Sequence, residues 1–484
     1  MAEETRTHLA RRLTSAQVAM IGLSGALGTG LFLGSSSTIL LAGPATVISY
    51  ALAGALALSI VWALAEVVSA HPVPGGHGAV AASYLGPLGG YVSRWNFAIT
   101  MLTAVGAEVT ATAHYLQHWF PNLSLGMGTV LCSLFIVALN LATVRLYGVS
   151  EYWFSMIKVT AICVFIALGA SLILFGWPSA NPATGFANLT SAGGFAPMGV
   201  GGILIAACMA VFSFGGIENV SVGAAESVHP ERDIPRAAHT MIWRLLIFYI
   251  VAIGVVVTLE PWKVTASSDG SIESSPFVKV LDLVGIPAAG HIMNAILLVA
   301  ALSAANGCLY SSSRMIHSLA LDRQAPRIAA HTSYNGVPRV AVLFATVGMV
   351  IASILAIFSP EQAFMYLYGC ATVGILVTWV MVMLTHLRFR QLRAAANLPD
   401  APARLWGAPY VNYFVIVCCV VIFVALYWQL PVVWVAGIPY IVVLIASFYV
   451  VRSVTDLPAP RDLIAEDVAA VAPPDSVTLT PTGA

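Results

Sequence analysis

An all-α membrane protein is the fold class this sequence predicts. Twelve transmembrane helices are expected: a five-plus-five inverted repeat with broken helices 1 and 6, plus two extra helices. Three observations lead there. First, of the 484 residues 59% are hydrophobic and only 9% charged, whereas a soluble chain carries roughly 25% charged residues. There is too little polar side chain to cover a water-facing surface, so lipid must be the solvent for most of the chain. Second, apolar runs near the length of a crossing, about 20 residues, recur twelve times. Third, the basic residues fall almost entirely on one side of the topology those runs define.

The runs are 17–43, 45–70, 92–117, 125–144, 152–176, 198–222, 238–258, 288–317, 340–358, 363–387, 409–429 and 433–451. The longest gaps between them are loops of about twenty residues, too short to fold alone. The first run is too long for a signal peptide and lacks a small-residue cleavage site. A polar arm over 1–15 is expected on the cytoplasmic side. A Pro- and Ala-rich acidic tail over 453–484 has the composition of a flexible segment. With both termini cytoplasmic, eighteen of the 21 Lys and Arg residues face inside, Lys263 and Lys279 face outside, and Lys158 lies within the fifth run. That bias fixes the orientation. The seven cysteines lie in apolar runs with no CxxC pair and read as small buried hydrophobes.

Runs 1 and 6 share an oddity. Run 1 carries "SGALGTGLF" near its centre, and run 6 carries "FSFGGIE" in its second half. Glycine costs about 1 kcal/mol relative to alanine inside a helix. Unwound backbone is tolerated at membrane depth only where it lines a cavity or is buried in protein. If runs 1–5 (about 16–176) and 6–10 (about 198–388) are repeats, the two interruptions occupy matching positions. The odd number of spans inverts the second repeat, leaving 409–452 as the extra pair. Paired interrupted helices of this kind point to a transporter binding site. Freed N–H groups at a half-helix start attract an anion, and freed carbonyls attract a cation, so a zwitterion satisfies both. Glycine also serves close helix packing; the pairing of the two segments favours the site.

The segments "GALGTGLFLGSSSTILLAGP", "FSFGGIENVSVGAAESVHPERDIPRA" and "NGCLYSSSRMIHSLALDRQAPRIAAHTSYNGVPR" resemble the amino acid permeases of the amino acid–polyamine–organocation superfamily. "EYWFSMIKV" entering run 5 and "THLRFR" leaving run 10 fit the same family, and the likeness extends from about residue 12 to 450. The resemblance implies import of an amino acid, driven by a proton or another gradient, by alternating access. It implies that backbone N–H groups of Thr29 and Gly30 hold the substrate carboxylate, with Gly28 allowing close approach. Carbonyls of Ala26, Phe212 and Gly215 would hold the ammonium. Phe212 or Phe214 would close over the substrate, with Ser213 between them in the lining.

Ionisable groups at membrane depth are functional by default. Lys158 reads as a titrating lysine that couples proton movement to transport, with snorkelling to the interface as the alternative. The resemblance favours the first by placing it beside run 1. Glu218 is read as a proton acceptor, gate or substrate contact, or else as a cap for the freed N–H groups of the break. Glu108 is read as a substrate-lining or relay acid, or as a buried structural hydrogen-bonding group. Glu66, near the cytoplasmic end of run 2, is read as structural or gating.

No nucleophile–base constellation, HExxH motif or phosphate loop points to an enzyme. Neither a metal nor a cofactor is expected, and the zero net charge suggests no nucleic-acid partner. A pore would want rings of charge or filter carbonyls, so a gated channel for small zwitterions is the rival from another class, and an exchanger the rival within it. The expected partners are an amino acid, a proton and the lipid bilayer of the cell membrane; nothing specifies an oligomeric state. Without a basic residue or an acidic cluster in the presumed pocket, a neutral amino acid or an analogue such as 4-aminobutyrate is the favoured substrate.

Overall fold

Glycine and proline, more than polar loops, set where the helices start and stop. The computed structural model describes residues 9, 11–26, 28, 31, 34–177, 186–266, 276–283, 285–286, 288–359, 363–429 and 431–471. Helix α1 (Ser15–Ala26) is followed by α2 (Gly34–Ala42). A single 3-10 turn, Gly43–Ala45, with Gly43 at φ +61° and Pro44 inside it, separates α2 from α3 (Thr46–Ala70). Helix α4 (Gly76–Gln117) is bent at Gly86 (φ 78°, ψ −177°), just before Pro87. Pro87 disfavours helical backbone in the residue ahead of it. The helix therefore starts well before the expected run at 92, and its first turns form a piece set off by the kink.

Helices α5 (Leu125–Leu141) and α6 (Val144–Phe175) are N-capped by Ser124 and Thr143, whose hydroxyls accept from the Met127 and Leu146 amides. Such caps satisfy amides that have no partner within the helix. Helix α7 (Gly199–Ala210) passes into a 3-10 turn, Val211–Phe214, and the chain resumes as α8 (Asn219–Val222). Then follow α9 (Pro230–Leu259), α10 (Trp262–Ala266), α11 (Pro276–Leu283) and α12 (Ala289–Leu321). Helices α13 (Arg339–Ala345), α14 (Val347–Phe358), α15 (Ala363–Ala395), α16 (Tyr410–Gln429), α17 (Pro431–Val454) and α18 (Leu463–Val471) complete the order. Among the described residues there is no strand, only an isolated bridge between Leu13 and Ser227.

Among the described residues, nine helical stretches have the length and hydropathy to cross a membrane. Their outer faces are apolar. On α16, Tyr413, Phe414, Val417, Val421 and Trp428 are each more than half exposed. Water would not tolerate so large an apolar surface; lipid does. The interior is built around α4, which packs along α12 and α15 and against α14. Close approach there depends on glycine, as in many membrane helix pairs. A methyl group at Gly348 would lie 1.9 Å from the Leu102 carbonyl oxygen, and one at Gly106 would lie 2.9 Å from the Gly348 carbonyl oxygen. Gly348→Ala is therefore expected to push α14 off α4, at a cost of about 1–3 kcal/mol, and to lower the melting temperature of the detergent-purified protein by several degrees. Gly254→Ala, where an added methyl meets nothing within 4 Å, is the control. Equal melting of the two variants would refute the contact.

Polar contacts tie several helix ends together. The amides of Arg12 and Leu13 both donate to the Glu226 carbonyl at 3.0 Å, joining the start of α1 to the end of the second interruption. Ser15 and Ser227 both donate to the Asp233 carboxylate. Glu66 receives both guanidinium nitrogens of Arg390 at 2.8 Å, the His386 ring at 2.9 Å and the Leu405 amide at 2.6 Å. Those contacts fasten α3 to α15 and account for the buried carboxylate.

Part of the polar tail is ordered. In α18, Leu463 is buried, and Asp467 receives Arg393 and faces His71 at 3.7 Å. Burial pulls the His71 imidazole below its usual range, although Asp467 acts the other way.

Candidate functional site

The second interruption is visible turn by turn. After Phe214 the backbone turns extended at Gly215 (ψ 142°), and Gly216 takes φ +96°, which a side chain would resist. The chain then leaves two consecutive glycines free to approach α1. They do: a methyl on Gly216 would lie 2.6 Å from both Cα and the carbonyl carbon of Gly25, and one on Gly25 would lie 2.8 Å from Gly216 Cα. Glycine-to-glycine backbone contact thus joins the first helix to the second break at the level where α1 ends.

Beside that contact lies a cavity. One side is formed by Gly25, Gly28, Phe212, Ser213, Gly215 and Gly216. Its remaining walls come from α4 (Met101, Ala104, Ala107, Glu108), α12 (Ala304, Cys308) and α15 (Ala371, Ile375). The described lining contains one carboxylate, Glu108, and no cationic side chain. Glu108 lies against Gly28, where an added methyl would be 3.2 Å from its Oε1. The chemistry offered is a small space with peptide groups and one acid at one side and apolar surface at the other. Pockets for small polar molecules commonly have that composition.

Of the residues the sequence points to, Gly28, Phe212, Ser213, Gly215 and Glu108 come together in this lining. Ala26 is the last residue of α1. Thr29 and Gly30 lie outside the described residues. Of the two aromatic candidates, Phe212 lines the cavity. Phe214 instead turns away and stacks on Tyr249 at 4.6 Å, and Tyr249 donates to the Ser213 carbonyl. Glu218 is not part of the described lining; its carboxylate accepts the Gly216 amide at 2.9 Å and the Trp379 indole N–H. It thereby satisfies one of the amides the break leaves without a helical partner. Lys158, fully buried on α6, donates from Nζ to the Ser24 carbonyl at 3.0 Å. That contact lies one residue before the glycine touching Gly216.

A further buried acid escaped the sequence reading. The fifth apolar run begins at residue 152, but α6 begins at Val144, so Glu151 sits two turns inside the helix and is fully buried. It accepts Ser303 Oγ and, at 2.8 Å, Asn306 Nδ2 from α12. The spacing of Glu151, Ser155 and Lys158, at i, i+4 and i+7, is the signal that puts all three on one helical face.

The model for the amino acid permease family matches residues 17–454. The chain is 34% identical over 414 residues to the gamma-aminobutyric acid permease of Bacillus subtilis, covering 86% of this chain and 87% of that one. It is 31% identical over 444 residues to the probable threonine/serine transporter YbxG of the same organism, covering 91% and 95%. It is 36% identical over 386 residues to the aromatic amino acid transport protein AroP of Escherichia coli, covering 80% and 83%.

Proposed function

The chain belongs to the amino acid permease family, and from that premise we propose that it is a secondary active transporter importing an amino acid by proton-coupled alternating access. As a permease it is a multi-pass membrane protein and not an enzyme. The proposal extends to twelve crossings in two inverted five-helix repeats with two further helices, and to residence in the cell membrane with both termini cytoplasmic.

The observation that carries the reading is the cavity where Gly25 and Gly28 meet Phe212, Gly215 and Gly216. Peptide groups freed from helical pairing, with Glu108 among them, suit the charged ends of an amino acid. Met101, Ala104, Ala107, Ala304, Ala371 and Ile375 suit an uncharged side chain or linker. A cationic side chain would bring one positive charge too many for the single acid, and an anionic one would meet that acid unpaired. A neutral amino acid, or 4-aminobutyrate, is the substrate class this lining supports. Lys158 supports the choice of a proton as coupling ion. Its ammonium already occupies the space beside the Ser24 carbonyl, and a sodium ion there would be repelled.

Purified protein in proteoliposomes tests the proposal. Labelled neutral amino acids and 4-aminobutyrate are offered under an imposed inward proton gradient. At least one should enter saturably, accumulate tenfold or more above the equilibrated level, and lose that accumulation on adding a protonophore. Accumulation that ignores the protonophore but requires substrate preloaded inside would make the protein an exchanger. Non-saturable flux carrying current would make it a channel.

A further inference from the structure

We propose that Glu151 is the proton's station between Lys158 and the cytoplasm, reached through Ser155. The assignment rests on the proton-coupled reading above and deepens it.

Start from the geometry of α6. Tyr147, Glu151, Ser155 and Lys158 repeat every three or four residues, so they form one stripe, and each is 2% exposed or less. At 1.5 Å per residue, Glu151 lies about 10 Å along the axis from Lys158, on the side of the helix start. Ser155 stands between the two on the same stripe, its hydroxyl donating to the Met20 carbonyl at 3.2 Å. A hydroxyl both donates and accepts, which a group bridging an amine and a carboxylate must do.

The surroundings of Glu151 are built to hold a carboxylate. Ser303 donates to one oxygen and Asn306 to the other. The Asn306 amide is itself oriented, because its carbonyl oxygen accepts Asn140 Nδ2 at 2.8 Å. Three helices, α5, α6 and α12, thus converge on one acid. The cation beside Tyr310, near the start of the stripe, is already committed. Arg314 donates to Glu226 at 2.8 Å and covers the Tyr310 ring at 4.0 Å, while Tyr310 stacks on Tyr147 at 4.2 Å. Toward the cavity the facing groups are Lys158, Glu108 and Cys308. A carboxylate at this depth is expensive to keep, and an amide would fill the same place by accepting Asn306 Nδ2 on its oxygen and donating from its NH2 to Ser303 Oγ. What an amide does not offer is an exchangeable proton.

The step balances simply. The Lys158 ammonium gives its proton, by way of the Ser155 hydroxyl, to the Glu151 carboxylate, leaving a neutral amine and a carboxylic acid. The acid releases that proton to cytoplasmic water when the cytoplasmic side opens.

Glu151→Gln, assayed in proteoliposomes with a trapped pH dye, tests this. The substrate is whichever neutral amino acid the parent takes up fastest. The variant should still be thermally stabilised by that substrate and exchange internal for external label within about twofold of the parent. Its gradient-driven accumulation and proton influx should fall at least tenfold, and its uptake should lose its dependence on pH between 5 and 8. Glu151→Asp, which keeps a carboxylate, should recover the pH dependence. Glu151→Gln with the parent's accumulation and pH profile overturns the assignment, as does Glu151→Asp behaving like Glu151→Gln, which would make the role one of packing. Should Glu151→Gln fail to fold, Ser155→Ala decides: slowed proton influx with unchanged exchange supports the station, and parental proton influx overturns it. A parent that moves substrate without protons overturns the coupling reading and this assignment together.

Discussion

Gly216→Ala is expected to reduce transport at least a hundredfold and to destabilise the purified protein, although the change adds one methyl group. Two effects combine. At φ +96° a residue with a Cβ is strained by roughly 1–3 kcal/mol. That Cβ would also sit 2.6 Å from Gly25 Cα and carbonyl carbon, which are backbone atoms and cannot rotate away. Overpacking of this kind costs typically about 1–3 kcal/mol, and together the two approach the lower end of a protein's whole stability. Relief requires α1 to move from the second break, which opens the cavity and moves Gly25 and Gly28 away from Phe212 and Gly215. Gly25→Ala, which meets Gly216 Cα at 2.8 Å and Asn219 Nδ2 at 2.7 Å, should reproduce much of the loss from the other side. Gly201→Ala, with nothing within 4 Å, should leave transport near the parent's. Uptake rates and melting curves of the three variants check this; a Gly216→Ala protein indistinguishable from Gly201→Ala would disprove the contact.

That pair of glycines also shows what a sequence can disclose. "FSFGG" announces a helix interruption because two adjacent glycines in an apolar run weaken the helix and add no packing side chain. The structure places a 3-10 turn and a positive-φ glycine there. The same motif cannot say which of Phe212 and Phe214 faces the cavity, because in a 3-10 turn the side-chain direction differs from that of an α-helix. Glu218 read either as a candidate for chemistry or as a cap for the freed N–H groups of the break; one oxygen does cap the Gly216 amide, while the other is held by Trp379, which lies 161 residues away, beyond the reach of local pattern. Glu151 was missed for a different reason. Hydropathy places a span's start where polarity falls, but α6 begins eight residues earlier, at Val144 after its Thr143 cap. The tail was misleading in composition: its prolines and acids resemble a flexible segment, while "LIAEDVAAV" is a short amphipathic helix whose Asp467 finds Arg393. Tertiary partners, not propensity, order such a helix.

Lys158→Ala should separate binding from coupling. In the parent, the ammonium donates to the Ser24 carbonyl at 3.0 Å, so its charge pulls on the last turn of α1. A hydrogen bond to a charged group contributes about 1.5–3 kcal/mol, and each 1.4 kcal/mol is tenfold in an equilibrium between conformations. Gain or loss of this one proton therefore biases the position of α1 by about ten- to a hundredfold, enough to make one access state depend on protonation. Alanine removes the bias and leaves the cavity lining intact, since Lys158 is not part of it. Substrate should still stabilise the variant against heat and exchange across the membrane, while accumulation under a proton gradient falls to the equilibrated level. Lys158→Arg, permanently charged, should also fail to accumulate, because a charge that never leaves cannot report the gradient. If Lys158→Ala concentrates substrate as the parent does, the driving proton must be carried elsewhere, and the stripe on α6 has no part in coupling.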